Sequence, residues 1–166
     1  IEVIGGVSDF EPPILTGVSV DKTSVDVTNG YQLVTFGVSA TDDNEWVASV
    51  ELKHALTGSR KTAHLRTENY DLVTAGVSHK SNQVLFYDQD KAGNWEIDTV
   101  SLYDTYDNRA AYYRWRGDFD ELGVPQFIEV IGGVSDFEPP ILTGVSVDKT
   151  SVDVTNGYQL VTFGVS

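Results

Sequence analysis

Residues 1–39 read IEVIGGVSDFEPPILTGVSVDKTSVDVTNGYQLVTFGVS, and residues 128–166 repeat them letter for letter. The offset, 127 residues, is too long for a solenoid unit and matches one ordinary domain. A string of beads is therefore expected: 1–8 closing a preceding unit and its linker, 9–134 forming one complete repeat, and 135–166 opening the next. A lone apolar hairpin is marginal in water. The surplus strands of 135–166 are therefore expected to pack on another molecule, to swap between molecules, or to complete a split domain with 40–127.

A unit of this size can bury a core without staples. The chain has no cysteine, which excludes a disulfide framework and a thiolate metal site. Its formal charge is −14, and residues 128–166 hold five acids and one lysine, leaving −10 for residues 1–127. That excess argues against nucleic acid, which demands cationic neutralisation of phosphates, and against anionic membrane surfaces. It suits hard cations that take oxygen ligands. No signal peptide, membrane span or lipid-anchor motif is present, as expected of an interior piece of a longer chain.

The patterning is all-β. Short alternating apolar and polar segments are broken by Gly, Asn, Asp and Pro. Strands are expected at 14–21 and 24–27 (one strand in two pieces), 31–41, 47–54, 59–67, 82–88, 94–103, 109–115 and 126–131. Asn29–Gly30 reads as a hairpin turn. The inward phase slips between Ile97 and Val100, which predicts a bulge, and 118–122 suits one helical turn. Seven or eight strands at this spacing predict an immunoglobulin-like Greek-key β-sandwich, here in tandem repeat. In the linker, Gly132–Gly133 is expected to permit a bend, while Pro139–Pro140 favours extended backbone.

Acidic loops give the candidate site. Asp9 precedes the first strand, Asp42 and Asp43 end the second long strand, and Asp104, Asp107 and Asn108 follow the penultimate one. In the expected topology these segments share one pole, where a preceding domain arrives. Crowded carboxylates repel unless a cation sits among them, and calcium's six to eight oxygen ligands suit flexible loops. The expected ligands are Asp9, Asp42, Asp43, Asp104, Asp107 and Asn108, with Asp136 as the counterpart of Asp9 in the next unit. Turn-forming preference alone explains any single loop.

The strings LTGVSVDKTSVDVTNGYQLVTFGVSATDD, VASVEL, NWEIDTVSLYDTYDN and DFDELGVPQFIEVIGG resemble the immunoglobulin-like extender repeats of large RTX-type surface adhesins of Gram-negative bacteria. Such repeats carry an Asp before a Pro pair, here Asp9 with Pro12 and Pro13, and an Asp pair ending a strand, here Asp42 and Asp43. They also carry a D-x-x-G-N-like loop, here 104–108, where Asp107 stands in place of the usual Gly. The resemblance implies an extracellular, cell-surface, calcium-stiffened spacer that projects an adhesive tip. Its partners would be neighbouring repeats of the same chain. It implies no enzymatic activity, no small-molecule substrate, no nucleic acid and no membrane contact by this region.

Other constellations carry less. Residues 88–94, with Asp88, Asp90 and Asn94, read as a plain hairpin turn. His54, His64 and His79 read as scattered surface residues. Tyr103, Tyr106, Tyr112, Tyr113 and Trp115 read as core filling and cross-strand pairing. A sugar platform would need exposed rings beside polar partners. No Ser-His-Asp order or phosphate-cradling loop stands out. A glycan- or host-surface-binding module and an accessory domain of a secreted hydrolase are the alternative readings.

Overall fold

The computed structural model describes residues 9–66, 70–73 and 77–166, the side chains of 70–80 excepted. The chain divides between Ser135 and Asp136 into two compact units. Among the described residues the first unit holds ten strands. They are β1 (Ile14–Val20), β2 (Ser24–Asp26), β3 (Gln32–Thr41), β4 (Trp46–His54), β5 (Arg60–Leu65), β6 (Tyr70–Val73), β7 (Val77–Phe86), β8 (Gly93–Asp104), β9 (Arg109–Tyr113) and β10 (Phe127–Ile131). One sheet has the order β1-β3-β7-β6; the other has β2-β10-β8-β4-β5, with β9 also paired to β8.

Alternation decides the packing. Val34, Phe36, Val38 and Ala40 of β3 are buried, as are Trp46, Ala48, Val50 and Leu52 of β4. Both sets, with Trp95, Ile97, Val100 and Leu102 of β8, join one apolar cluster between the sheets. The chain is an all-β sandwich, as its patterning predicts.

Periodicity says which residues turn inward, but not which sheet a strand joins. The two pieces of the first expected strand separate: β1 pairs antiparallel with β3, and β2 pairs parallel with β10. Neither expected hairpin turn is a hairpin. Residues 27–31 join β2 to β3, and residues 87–92 join β7 to β8, so both cross from one sheet to the other. Gly30 takes the expected positive φ, +131°; the turn chemistry is right and the destination is different. The bulge is where the phase slip put it, with Glu51 opposite Thr99, Leu52 opposite Ile97, and Asp98 as the extra residue. β6 and the first half of β7 were not expected, because the run VSHKSN has no apolar alternation. Ten-residue pairing with β3 carries that stretch into the sheet.

Two smaller expectations change. The helical turn expected at 118–122 is a series of turns, preceded by a 3-10 turn at Arg114–Arg116. His54 is not on the surface. It is fully buried, edge-on to Trp95 at 5.3 Å between ring centres. Its Nδ1 accepts from the Thr57 N–H at 3.2 Å, so Nε2 carries the proton that reaches the Ala92 carbonyl at 2.9 Å. His64 is exposed, and the side chain of His79 lies outside the described residues.

β8 spans the sandwich from Gly93 to Asp104, about 35 Å at strand rise. β1 begins opposite the end of β3, with Ile14 beside Thr41, and Trp46 pairs with Asp104. The chain therefore enters the sandwich at the Asp104 end. β10 runs toward Gly93, where Val130 is its partner, so the chain leaves at the opposite end.

At that exit the glycine pair is not a free hinge. The Val134 N–H donates to Asp90 O at 2.7 Å, and the Ala92 N–H donates to Val134 O at 2.8 Å. A Cβ on Gly133 would stand 2.3 Å from Asp90 O, and one on Gly132 (φ +76°) 2.1 Å from Thr28 Oγ1. The glycines let the backbone lie against the 87–92 turn, which is close approach rather than freedom.

The second unit, residues 136–166, is a two-stranded sheet of β11 (Val145–Val147) and β12 (Phe163–Val165). Val145 faces Val165 and Val147 faces Phe163, the register that Val18–Val38 and Val20–Phe36 keep in the first copy.

Candidate metal centre

Three loops converge where the chain enters the sandwich. Asp9 sits just before the Pro pair, where its Oδ1 accepts the Glu11 N–H at 3.0 Å. Asp42 follows β3 and holds its loop by accepting the Asn44 N–H at 2.6 Å. Asp104 ends β8; its Oδ1 accepts the N–H groups of Tyr106 and Asn108, both at 2.8 Å. Asx-type turns of this kind are what Asp and Asn do at strand ends. The sandwich adds their meeting: carboxylate oxygens of Asp9, Asp42 and Asp104 all lie within 4.8 Å of one another.

Two amides tie the loops together. Asn44 Nδ2 donates to Asp9 Oδ2. Asn108 Nδ2 donates to Asp104 Oδ2 at 2.7 Å and to the Asp9 carbonyl at 3.2 Å. The Thr105 N–H donates to Glu45 O at 3.1 Å, pinning the 104–109 loop to the start of β4. The Leu15 N–H donates to the Tyr112 hydroxyl at 3.0 Å, linking β1 to the opposite sheet.

The electrostatics are uneven. Burial pushes the Asp42 carboxyl above its usual range. The Asn44 N–H opposes this, while the charges of Asp104, Asp9 and Asp43 push it further up. Asp104 is only 7% exposed. Its burial also acts upward, but the hydrogen bonds from Asn108 and Tyr106, with a contact from Asp9, together hold it below the usual range. None of the ion pairs among the described residues involves Asp9, Asp42 or Asp104.

Of the residues singled out in the sequence, Asp9, Asp42, Asp104 and Asn108 come together. Asp43 and Asp107 are exposed on the rims of the same loops. Asp107 has φ +65°, the left-handed geometry for which a glycine is the usual choice. Asp136 lies in the second unit and repeats the turn of Asp9, its Oδ1 accepting the Glu138 N–H at 3.1 Å. Asn44 is not among the expected ligands; its role as a tie becomes visible with the loops in place. The donor set fits a hard cation, since every group is an oxygen-bearing carboxylate or amide. An open cleft of about 320 Å³, lined by Asp9, Glu11, Asp42 and Asp43 among others, adjoins the cluster.

Comparison with protein-family profiles finds no match, and comparison with curated proteins finds no match.

Proposed function

We propose that this chain is one bead and the start of the next from a tandem array of immunoglobulin-type sandwiches, acting as a calcium-stiffened spacer of an extracellular adhesin. The strand order supports the topology: two sheets sharing one core, with β2 parallel to β10. Identity over 39 residues at a 127-residue offset supports the array. Entry and exit at opposite ends of β8 support a linear one.

The observation that carries the calcium reading is the trio Asp9, Asp42 and Asp104, whose carboxylate oxygens lie within 4.8 Å of each other. Asp9, Asp42 and Asp104 would hold the ion, with Asn108 beside them. The ion would supply positive charge that relieves their repulsion and fixes the segment entering β1. Extracellular calcium modules bind at about 10⁻⁴–10⁻³ M, and an ion at roughly 100 times its Kd stabilises the folded state by about 2.7 kcal/mol. Calorimetric titration of the full chain with calcium tests the site. Small-angle scattering of several concatenated repeats, with calcium and with chelator, tests the stiffening. Absence of binding heat would sink the site, and an unchanged maximum dimension would sink the spacer mechanism.

A further inference from the structure

We propose a second binding site: a groove on the outer face of the six-stranded sheet that takes an oligosaccharide. It lies on the side of the sheet away from the core and rests on none of the calcium ligands.

Pairing builds the groove. Across β4, β8 and β9 the row Ser49–Ser101–Ala111 is made of small residues. It lies between the bulkier rows Val47–Tyr103–Arg109 and Glu51–Thr99–Tyr113. Ser49 and Ser101 of the short row, with Glu51, Thr99, Arg109 and Tyr113 beside them, line a trough of about 440 Å³. The bulge adds chemistry. As the extra residue, Asp98 lines this trough together with its neighbour Thr99, a re-aiming that bulges commonly perform. Arg60 bridges the two acids there, Glu51 and Asp98, the latter at 3.1 Å. Planar donors and acceptors are thus held in place before any ligand arrives.

The wall is aromatic. Trp115 is 76% exposed, whereas Trp46 and Trp95 are buried. Its ring centre lies 5.8 Å from that of Tyr113, and the Arg116 guanidinium sits over Tyr113 at 4.6 Å. Of the aromatics in this stretch, Tyr112 turns inward to hold β1, while Tyr113 and Trp115 line the groove. The exposed indole thus stands at the groove itself, beside Tyr113 and the polar side chains that line it.

Charge selects the ligand class. In a chain of net −14, the groove gathers Lys53, Arg60 and Arg109 against Glu51 and Asp98. That balance, with hydroxyls on the floor and a ring on the wall, suits a polyhydroxylated ligand whose C–H face stacks on an aromatic.

The test uses cellohexaose, chitohexaose and an alginate hexasaccharide on the full chain in chelator, so that the calcium site plays no part. Since the other two tryptophans are buried, a change in indole emission reports Trp115. At least one probe is expected to give a saturable emission change and a calorimetric Kd in the millimolar range. Trp115→Ala and Glu51→Gln should each weaken it about tenfold, with melting temperature unchanged for the exposed Trp115. Three results would overturn the proposal: no heat or emission change with any probe up to about 10 mM, an affinity that neither variant lowers, or binding of the alginate probe alone that vanishes at high salt.

Discussion

Residues 14–39 and 141–166 have one sequence and two fates. Both copies make the same local contacts. The Thr35 N–H donates to Asp21 Oδ1 at 2.8 Å, and Thr162 to Asp148 at 2.8 Å. Lys22 reaches Leu33 O and Lys149 reaches Leu160 O, each at 2.8 Å. Burial separates them. Val18, Val25, Val27, Phe36 and Val38 are 0–7% exposed, whereas Val145, Val152, Val154, Phe163 and Val165 are 42–75% exposed. At about 1.5–3 kcal/mol for each large apolar side chain, those five positions differ by roughly 7–15 kcal/mol, an upper estimate comparable with a domain's whole stability. Turn and register are thus written locally, and the stability comes from what the rest of the bead lays over them.

The comparison can be broken most sharply at Phe36 and Phe163. Phe36→Ala should cost the bead about 3–5 kcal/mol in denaturant unfolding. Phe163→Ala, the same change in the same sequence, should leave the main transition within about 0.5 kcal/mol of its original value. A large effect of Phe163→Ala would mean that the second copy contributes to the bead.

The exit between the copies is next. Gly133→Ala should lower the bead's stability by about 2–3 kcal/mol, because the methyl group meets Asp90 O and the backbone must shift. If Gly133 were only a hinge, the melting temperature would not move.

Asp9 and Asp136 sharpen the contrast at the metal centre. Asp9→Asn should remove most of the calcium-induced rise in melting temperature, up to the ~2.7 kcal/mol expected near saturation. Asp136→Asn should retain it, since the positions corresponding to Asp42 and Asp104 fall outside the 39 shared residues.

Protons offer a smaller lever on the same carboxylates. The Asp42 pKa is raised above its ordinary value by burial and by its acidic neighbours. Its charge therefore destabilises the folded state increasingly as pH rises from about 3.8 through the raised value. Acidifying the calcium-free protein from neutral into that window should gain stability through Asp42, and Asp42→Asn should abolish that gain. Asp104 acts in the opposite sense. Its lowered pKa contributes stability that is lost only as pH falls below its ordinary value. Melting temperature against pH in chelator separates the two. The smallest expected effect is Asp107→Gly, a gain of about 0.5–1 kcal/mol from relief of a left-handed backbone, read as a modest rise in melting temperature.

The sequence by itself determined much of this protein. Alternation marked β3, β4 and β8 and their inward faces, the phase slip after Ile97 located the bulge, and turn residues marked the loops that carry Asp9, Asp42 and Asp104. These are local properties, set by pleat, φ preference and hydrogen bonding within a few residues. Tertiary structure decided what local chemistry cannot encode. It sent β1 and β2 to different sheets and made arches of two turns that read as hairpins. It buried His54 and turned Gly133 from a hinge into a seat. It also brought the carboxylates of Asp9, Asp42 and Asp104, 33 to 95 positions apart, within 4.8 Å of one another. The two copies show the reason: a strand's sequence fixes its own shape, while its place and its stability depend on the surface that covers it.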